Sequence, residues 1–467
     1  QGGGEISDVV SLVVTRPRSM NQTMVCLRGS NRPPSSTQVR TWLPRPSHTP
    51  KPDKLRRLSK MTQGTVPHGD LARTGRCSGR GIVNEPQVVR RFTMPASPAL
   101  PTVADGVMYV SDAEGNACAF DVDTGQRLWH QQHCDNPQDR DDWDLMRLEW
   151  PPALTPDLVI LDTGEETFGC RRTDGQLSWK LEGAGRPTVV DDLLLRIGHG
   201  GVEALDAATG QPRWQASERS DNLTYGLLRV HPTIADGMAL VAEGYEPHRH
   251  EGGGVHAFDL RTGALRWEIY GDDQSACTWE TPCASPDIVL VDSCHPVWAH
   301  GFVWVYQHRL HADHAEEPTL TGLDPGTGRP EQTLVLREIF DPYDPPAGAP
   351  IFGPDLVYCR TDKRLDALDL TTGALRWTRR LTASVVGAPL LAGSTLHLAT
   401  ENGGLQALDA STGDLRWSVA LDEATTWSSD FSADLGEEIG YEEIAAPFVL
   451  TNGSLFARTD NAVLLLR

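Results

Sequence analysis

Short apolar runs alternate with polar turns along this chain, and one hydrophobic and polar pattern recurs. Ala-x-Asp-x-x-Thr-Gly-x-x-x-Trp occurs as AFDVDTGQRLW, ALDAATGQPRW, AFDLRTGALRW, ALDLTTGALRW and ALDASTGDLRW. The apolar residues before Asp are typical of a buried strand that ends at the carboxylate. Glycine after Thr tolerates the positive φ of a tight turn, and Trp lies in the strand that follows. The pattern therefore predicts a repeated β-hairpin.

Two degenerate copies, RTDGQLSW and GLDPGTGRPEQ, bring the number of hairpins to seven, and Gln332 replaces the tryptophan in the second. Upstream of each hairpin the chain has a proline, a few apolar residues, a tight turn and another apolar run. This second pattern begins at Pro101, Pro152, Pro187, Pro232, Pro296, Pro350, Pro389 and Pro447. Together the two patterns predict one four-stranded unit copied eight times.

The last unit is one strand short, because the chain stops at Arg467 after three strands. The segment PQVVRRFTM, Pro86 to Met94, precedes the first unit at the place that a Trp-bearing strand holds before every other unit. We expect it to supply the missing strand, a closure that removes an open sheet edge. The predicted fold class is all-β: an eight-bladed β-propeller of four-stranded antiparallel blades, closed by an N-terminal strand.

The repeat resembles the tryptophan-docking repeat of the pyrroloquinoline quinone (PQQ) dehydrogenase propellers over residues Pro86 to Arg467. The segment HGDLARTGR, residues 68–76, resembles the lead-in of PQQ-like repeat proteins such as the BamB-like propellers. Since one scaffold of this kind hosts unrelated activities, the resemblance predicts shape more than function. It implies that the indoles have a structural role between neighbouring blades. The residues concerned are Trp129, Trp179, Trp214, Trp267, Trp377 and Trp417.

Charge separates the beginning of the chain from the rest. The whole chain has a net charge of −21, yet residues 1–60 contain eleven Lys and Arg against three Asp and Glu. Because this segment is rich in Pro and Ser and lacks periodicity, we expect a disordered basic tail over 1–67 and the propeller over 68–467. Met61 offers an alternative start, which would make the first sixty residues an upstream extension without function.

The compartment is left open by the sequence. No segment matches a signal peptide, and no apolar run approaches the roughly 18 residues of a membrane span. The nine cysteines are scattered and odd in number, unlike a disulfide framework. These features mildly favour the cytoplasm, whereas the family resemblance allows an extracytoplasmic location.

Long connections are predicted to share one face of the ring. In an antiparallel blade, the connection between the second and third strands and the one leaving the fourth strand emerge on the same side. The long ones, such as HCDNPQDRDDWD and DEATTWSSDFSADLGEEIGYEE, are acidic and aromatic. The negative electrostatic potential of such acidic connections favours basic or cationic partners and repels nucleic acid. The residues predicted for this face are Asp139, Asp141, Asp142, Trp143, Asp144, His248, His250, Trp427, Asp430, Phe431 and Tyr441.

Histidines supply the candidate metal ligands. His308, His311 and His314 follow one another in a connection that also contains Asp313, and imidazole with carboxylate suits a first-row transition metal. The same spacing is common in loops that bind no metal. The sequence therefore allows a divalent metal ion at this connection. It predicts no other cofactor.

Two functions of different classes are compatible with these residues. In the preferred hypothesis the chain is a monomeric, non-enzymatic binding or scaffold module that takes a protein or small ligand, basic or cationic, on its acidic aromatic face. The alternative is an oxidoreductase, PQQ-dependent or metal-assisted, at the channel mouth. PQQ itself is not expected, because the chain has no adjacent cysteine pair and no residue that matches the calcium ligands or catalytic base that the resemblance would imply.

Overall fold

The computed structural model describes the chain from residue 69 to the end, apart from several connections. The described residues are 69–112, 114–133, 151–162, 166–183, 185, 187–198, 201–216, 231–243, 254–270, 289–290, 296–310, 316–336, 339, 349–361, 363–401, 403–421 and 447–467. They form strands and turns and no helix, so none of them belongs to a helix that could cross a membrane.

In the described part of the chain, thirty-three strands form eight antiparallel sheets. Strand β1 is Val88–Thr93. Blade one contains β2 (Thr102–Ala104), β3 (Val107–Ser111), β4 (Asn116–Asp121) and β5 (Arg127–Gln132), and blade two contains β6 (Ala153–Leu154), β7 (Leu158–Asp162), β8 (Glu166–Arg171) and β9 (Leu177–Glu182). Blade three contains β10 (Thr188–Val190), β11 (Leu193–Gly198), β12 (Gly201–Asp206) and β13 (Pro212–Ala216), and blade four contains β14 (Thr233–Ala235), β15 (Met238–Glu243), β16 (Gly254–Asp259) and β17 (Leu265–Tyr270).

Blades five to eight repeat the arrangement. Blade five contains β18 (Val289–Leu290), β19 (Val297–Ala299), β20 (Phe302–Leu310), β21 (Glu316–Leu323) and β22 (Pro330–Val335), and blade six contains β23 (Ile351–Phe352), β24 (Leu356–Arg360), β25 (Arg364–Asp369) and β26 (Leu375–Arg380). Blade seven contains β27 (Val385–Ala392), β28 (Thr395–Thr400), β29 (Gly404–Asp409) and β30 (Leu415–Ala420), and blade eight contains β31 (Phe448–Thr451), β32 (Ser454–Arg458) and β33 (Ala462–Leu466) together with β1.

The predicted eight-bladed propeller and its closure are confirmed. Strand β1 pairs with β33 from Val88 opposite Leu466 to Thr93 opposite Ala462. Gln87 and Arg467 extend the pairing through two backbone hydrogen bonds of 3.0 and 3.1 Å. The eighth sheet thus joins the two ends of the propeller.

Two blades differ from the regular unit. Strand β27 begins before Pro389 and contains an irregularity between Val386 and Leu390, which accommodates a residue without a backbone N–H. In blade five, β20 and β21 are longer than elsewhere, and the additional strand β18 pairs with the end of β20. The segment 307–318, which the sequence assigns to a loop, is therefore partly strand.

The hydrophobic core lies between neighbouring blades. At the first interface, Tyr109 and Trp129 of blade one pack with Val159 and Phe168 of blade two. Equivalent clusters join every other neighbouring pair, including blades eight and one. Because each sheet buries apolar side chains on both faces, a single blade cannot form a core without its two neighbours.

The lead-in, residues 69–82, runs along the first strands of four blades. First strands of neighbouring blades contact one another, and four of them donate a backbone N–H to a lead-in carbonyl oxygen. These bonds are Ile234 N to Leu71 O at 2.8 Å, Trp298 N to Ala72 O at 2.9 Å, Phe352 N to Thr74 O at 2.8 Å and Leu391 N to Gly75 O at 2.7 Å. Through these backbone bonds the lead-in connects blades four, five, six and seven.

Candidate binding face

The two ends of the blades differ in the length of their connections. One end, which we call the turn end, joins first strands to second strands and third strands to fourth strands, for example through 105–106 and 122–126. The other end, the connection end, joins successive blades and second strands to third strands. Its longest connections are 133–152, 217–232, 271–288, 336–350 and 421–447. The predicted face corresponds to the connection end.

The predicted face residues lie in connections outside the described residues. This holds for Asp139, Asp141, Asp142, Trp143, Asp144, His248, His250, Trp427, Asp430, Phe431 and Tyr441, and for the candidate ligands His311, Asp313 and His314. The backbone of His308 is described: it lies in β20 opposite Val289 and Pro318. His308 is thus in a strand, not in the loop that the sequence indicated.

A buried carboxylate organises the connection end of blade one. Asp112 is fully buried and accepts hydrogen bonds from the backbone N–H groups of Ala96 at 3.2 Å and Asn116 at 2.9 Å. The Asn116 amide also donates to both Asp112 oxygens at 3.0 and 2.9 Å, and its own oxygen lies 2.8 Å from Nε2 of His130. The three side chains form a chain of hydrogen bonds that fixes the start of β4.

A histidine at the connection end of blade one contacts a cysteine of blade two. Nε2 of His133 lies 3.2 Å from Sγ of Cys170, and the His133 ring stacks on Phe168 with centroids 5.6 Å apart. Burial lowers the pKa of His133 and raises the pKa of the Cys170 thiol to about 12. Because the thiolate is the nucleophile, a thiol with this pKa is unreactive at neutral pH. The pair forms a packed contact between the two blades.

Arg196 links blades two and three. Its guanidinium pairs with Glu203 of its own blade and donates to the Gly183 carbonyl oxygen at 3.0 Å and to the Thr167 hydroxyl at 3.3 Å in blade two. The side chain is only 10% exposed, which strengthens charge-assisted bonds of this kind. Like Asp112, Arg196 fixes strand ends from which connections depart.

These polar groups are paired with one another and do not converge. Among the described residues, no three His, Cys, Asp or Glu side chains are arranged to hold a metal ion. The four described cysteines, Cys77, Cys118, Cys170 and Cys359, are free thiols, and burial raises the pKa of each to about 12. The described part of the connection end is thus a rigid base for its connections.

At the turn end, the six predicted tryptophans occupy one repeated position, the third residue of a fourth strand. Five of them donate the indole N–H to a backbone carbonyl oxygen of the next blade or of the lead-in. The bonds are Trp129 to Arg172 at 2.8 Å, Trp214 to Leu260 at 3.0 Å, Trp267 to Pro325 at 2.7 Å, Trp377 to Ala410 at 3.1 Å and Trp417 to Ile82 at 2.8 Å. Most of these rings also cover the turn glycine of the next blade, as Trp214 covers Gly263.

Trp179 is the exception among the tryptophans. Its buried Nε1 has no hydrogen-bond partner among the described residues. In blade two, Gly169 replaces the alanine of the repeat, and a Cβ at Gly169 would overlap the Trp179 ring. The missing methyl group lets the indole lie against its own sheet.

Other residue types fill the tryptophan position at two interfaces. Gln332 donates its amide to the Leu370 carbonyl oxygen at 3.3 Å between blades five and six. Arg90 of β1 donates to the Thr124 carbonyl oxygen at 3.1 Å and also contacts that of Asp123, between blades eight and one. The closing interface therefore uses a cation where most others use an indole.

In five blades the third strand ends at an aspartate that organises the following turn, and in four of them this aspartate also pairs with an arginine of the fourth strand. Oδ1 of Asp369 accepts from the backbone N–H and hydroxyl of Thr372, both at 2.8 Å, while Oδ2 pairs with Arg376 at 2.5 Å. The Arg376 and Thr372 bonds hold the pKa of Asp369 at about 2, well below its usual range. Asp259 has the same partners in Arg266 and Thr262 and the same pKa.

The arginine in these pairs was not identified from the sequence, although the signal is present. Arg213, Arg266, Arg376 and Arg416 each immediately precede a repeat tryptophan, and each pairs with the aspartate seven residues before it. In the dipeptide Arg-Trp, the arginine therefore stabilises the turn of its own blade and the tryptophan contacts the next blade.

Comparison with known proteins matches the chain to one family. A family model described as the outer membrane protein assembly factor BamB matches residues 84–193, 143–280, 171–328 and 316–459. The dehydrogenase subunit of the quinone alcohol dehydrogenase of Acetobacter aceti is 24% identical over 214 residues, which is 45% of this chain and 24% of that protein. The chain thus spans about a quarter of the length of that curated relative.

Solved structures share the fold at low identity. BamB from Moraxella catarrhalis has a TM-score of 0.55 and 16% identity, covering 82% of this chain and 100% of that one. A europium-containing methanol dehydrogenase has a TM-score of 0.58 and 14% identity over 80% of this chain and 88% of its own. The quinohemoprotein alcohol dehydrogenase of Comamonas testosteroni has a TM-score of 0.57 and 15% identity over 89% and 82% of the two chains.

Some of these relatives are quinone-dependent by name, and the residues of this chain bear on whether it could hold such a cofactor. The sequence has no adjacent cysteine pair, and the buried carboxylate of Asp112 at the connection end is already hydrogen-bonded to Asn116. No described group of three His, Cys, Asp or Glu side chains could hold the accompanying metal ion.

Proposed function

The chain belongs to the PQQ-like repeat propeller family described as outer membrane protein assembly factor BamB, and from this membership we propose that it is a non-enzymatic binding module. The ring serves as a rigid support, and the connection end carries the binding surface. The partner is a protein or small ligand of basic or cationic character.

The difference between the two ends of the blades carries this proposal. Turns at one end are short and internally hydrogen-bonded, as between Asp369 and Thr372, whereas connections such as 133–152 and 421–447 leave the other end. Binding residues concentrate on long connections held by a rigid scaffold. Hydrogen-bonded strand ends at Asp112 and Arg196 supply that rigidity.

Charge and aromatic content indicate the partner. The connections contain the carboxylates Asp139, Asp141 and Asp430 and the aromatic residues Trp143 and Trp427. Carboxylates steer cationic partners toward the surface, and large aromatic side chains are enriched where partners are bound most tightly. The role of each of these residues is part of the proposal.

A defined cationic probe tests the binding face. We expect a poly-lysine peptide to bind the full chain, measured by isothermal titration calorimetry, and to lose about tenfold in affinity when Asp139, Asp141 and Asp430 are changed to Asn. The matched control changes Asp191, Asp236 and Asp355 to Asn, three exposed aspartates of the turn end. If both sets of substitutions reduce binding equally, only net charge matters and the proposed face is wrong.

Similarity to a quinone alcohol dehydrogenase subunit supports one alternative, an oxidoreductase at the channel mouth. The purified chain, supplied with PQQ and calcium, would be assayed with alcohols and sugars and an artificial electron acceptor. We expect no turnover above a control without protein. Reproducible turnover would replace the binding proposal with the enzymatic one.

The histidine connection is a secondary candidate for a divalent ion. His308, His311, His314 and Asp313 lie within one short stretch of sequence. Titration with zinc should raise the melting temperature of the parent and leave that of a His311→Ala, His314→Ala variant unchanged. If zinc leaves the melting temperature of the parent unchanged, the hypothesis of a metal site at this connection is wrong.

We further propose that the chain is monomeric and extracytoplasmic, with the propeller starting near residue 68. The cytoplasm favoured by the sequence receives no support from the family, whose description names outer membrane protein assembly. Mass spectrometry of the native amino terminus after cell fractionation tests the compartment and the start of the mature chain. Light scattering of the purified protein tests the monomer.

A further inference from the structure

The interface between blades five and six lacks an indole at a position where most interfaces of the ring have one. At five interfaces a tryptophan ring lies over the turn glycine of the next blade, and a Cβ added to that glycine would be 2.5–3.0 Å from the ring. The pairs are Gly175 with Trp129, Gly210 with Trp179, Gly263 with Trp214, Gly328 with Trp267 and Gly413 with Trp377. At the closing interface the side chain of Arg90 takes this place and lies 3.2 Å from the same point of Gly125.

The turn glycine of blade six has no such cover. Among the described residues, a Cβ added to Gly373 would meet one atom within 4 Å, Cδ2 of Leu334 at 3.7 Å. Gly373 is half-buried, whereas four of the five glycines under an indole are buried. Gln332 stands at the tryptophan position of this interface, and its side chain does not reach the glycine.

The carbonyl group that accepts from an indole elsewhere is retained at this interface. Leu370 immediately follows the aspartate of its turn, as does Ala410, whose oxygen accepts from Trp377 at 3.1 Å. The Leu370 oxygen accepts from the Gln332 amide at 3.3 Å, which is long for an N–H to oxygen bond. Since a carbonyl oxygen has two lone pairs, the Leu370 oxygen has room for a better donor.

Trp304 restores packing in the core of this interface but not over the turn. The Trp304 ring is fully buried and lies 5.3 Å from that of Phe352 in blade six, measured between centroids. Its N–H donates to the Ala299 carbonyl oxygen of its own blade at 3.0 Å. Trp304 therefore fills the inner part of the interface and leaves Gly373 and the Leu370 oxygen without an indole.

We call Gln332, Leu334, Gly373 and the Leu370 carbonyl oxygen the rim notch. It lies at the turn end between β22 and β26, which are the outermost strands of their sheets. Leu334 is buried and supplies the apolar floor. The two residues between Leu370 and Gly373 are exposed, so the notch faces solvent.

We propose that the rim notch binds a tryptophan side chain of a partner protein. The ring lies against Gly373 and Leu334, and its N–H donates to the Leu370 carbonyl oxygen while the Gln332 amide turns to solvent. Four interfaces of the same ring adopt this arrangement with their own indoles, as Trp377 does with Gly413 and Ala410. The repeat itself thus defines the complementary group.

The shape of the notch favours a side chain over a free aromatic molecule. Sites for small ligands enclose most of the ligand surface, whereas the rim notch offers one apolar side chain, one glycine and one acceptor. A partner protein adds contacts around its inserted residue, and tryptophan is enriched among the residues that dominate such interfaces. Phenylalanine and leucine fit less well, because they have no donor for the Leu370 oxygen.

The test uses a defined peptide as the probe. An acetylated and amidated Gly-Gly-Trp-Gly-Gly peptide is titrated into the full chain and followed by saturation-transfer NMR. We expect a Kd on the order of 1 mM, because one ring and one hydrogen bond supply the contacts. The same peptide with an N-methylated indole should bind about fivefold more weakly. A peptide with leucine in place of tryptophan should show no transfer at the same concentrations.

Variants that refill the notch make the test specific. Gln332→Trp restores the repeat and should abolish peptide binding and raise the melting temperature by roughly 2–4 °C. Gln332→Arg copies the closing interface, should also abolish binding, and tests the notch if the tryptophan variant does not fold. Thr333→Trp is the matched control, because Thr333 is exposed on the opposite face of β22, and should keep the affinity within about twofold of the parent.

Each remaining outcome contradicts a stated part of the proposal. Absence of peptide binding to the parent at about 10 mM, or equal binding to the parent and to both Gln332 variants, would overturn it. Equal affinity for the N-methylated peptide would remove the hydrogen bond to Leu370. Free indole that binds as tightly as the peptide would replace the partner protein by a small aromatic ligand. Poly-lysine reports only on the proposed connection-end site, so its failure to bind would leave the rim notch unaffected.

Discussion

The indole N–H of Trp417 donates to the carbonyl oxygen of Ile82 at 2.8 Å, although the two residues are 335 positions apart in the chain. Elsewhere the acceptor belongs to the hairpin turn of the next blade, as for Trp377 and Ala410. Blade eight lacks the Thr-Gly turn of the repeat, and the lead-in supplies the acceptor instead. The last interface of the ring therefore depends on a residue that precedes the first blade.

Removing one indole N–H should reveal the strength of this contact. Trp417→Phe keeps an aromatic ring and should lower the free energy of unfolding by about 1 kcal/mol more than Trp179→Phe, measured by urea denaturation. The difference arises because the buried N–H of Trp179 has no partner among the described residues. Equal losses in the two variants would mean that ring size, and not the hydrogen bond, determines stability here.

Turn glycines beneath an indole should tolerate alanine less than turn glycines in open space. Gly263 has φ of +71°, and a Cβ there would lie 2.5 Å from the Trp214 ring, whereas Gly237 has φ of +74° and open space around it. Gly237→Ala should cost roughly 1–2 kcal/mol from the left-handed backbone alone. Gly263→Ala should cost about 1–3 kcal/mol more, in the same denaturation experiment. Similar costs at both sites would contradict the close indole contact.

A buried histidine should make stability depend on pH. Nε2 of His397 accepts from the Ile82 N–H at 3.1 Å, and burial lowers the pKa of His397 to about 4. Below the ordinary pKa of 6.5 the unfolded state takes up a proton that the folded state does not, so the free energy of unfolding should fall from pH 6.5 to about pH 4. His397→Gln should flatten the curve in this window. An unchanged slope would show that other groups control it.

The lead-in should stabilise the ring more than its length suggests. A chain that starts at residue 68 should melt at the temperature of the full chain, whereas one that starts at residue 84 should melt roughly 5–10 °C lower in calorimetry. The shorter chain loses the carbonyl acceptors of Leu71, Ala72, Thr74 and Gly75 and of Ile82. A synthetic peptide of residues 68–83 should restore part of the loss. Equal melting temperatures for the two truncated chains would contradict a stabilising lead-in.

Regular blades were predictable because their signals are local. Asp and Thr-Gly define each turn through side-chain bonds such as Asp369 to Thr372, and the position of Trp377 follows from the strand that the turn begins. The strand closure also followed, since counting units left one strand missing. By contrast, the lead-in path uses the backbone carbonyl oxygens of Leu71 and Ala72, which leave no side-chain pattern to detect.

The candidate site was less accessible to sequence reasoning. Long connections have no repeat, so the positions of Trp143 or Asp430 relative to one another do not follow from the period of the blades, and both lie outside the described residues.

The pairing of β1 with β33 has a consequence for synthesis on the ribosome. Val88 leaves the exit tunnel long before its partner Leu466 is translated. Earlier blades can fold as they emerge, but the eighth sheet cannot form until β33 has been translated. During that interval the edge of β1 is unpaired and can pair with another chain, which exposes the nascent chain to aggregation. A chaperone that covered this edge would protect the chain until β33 is available.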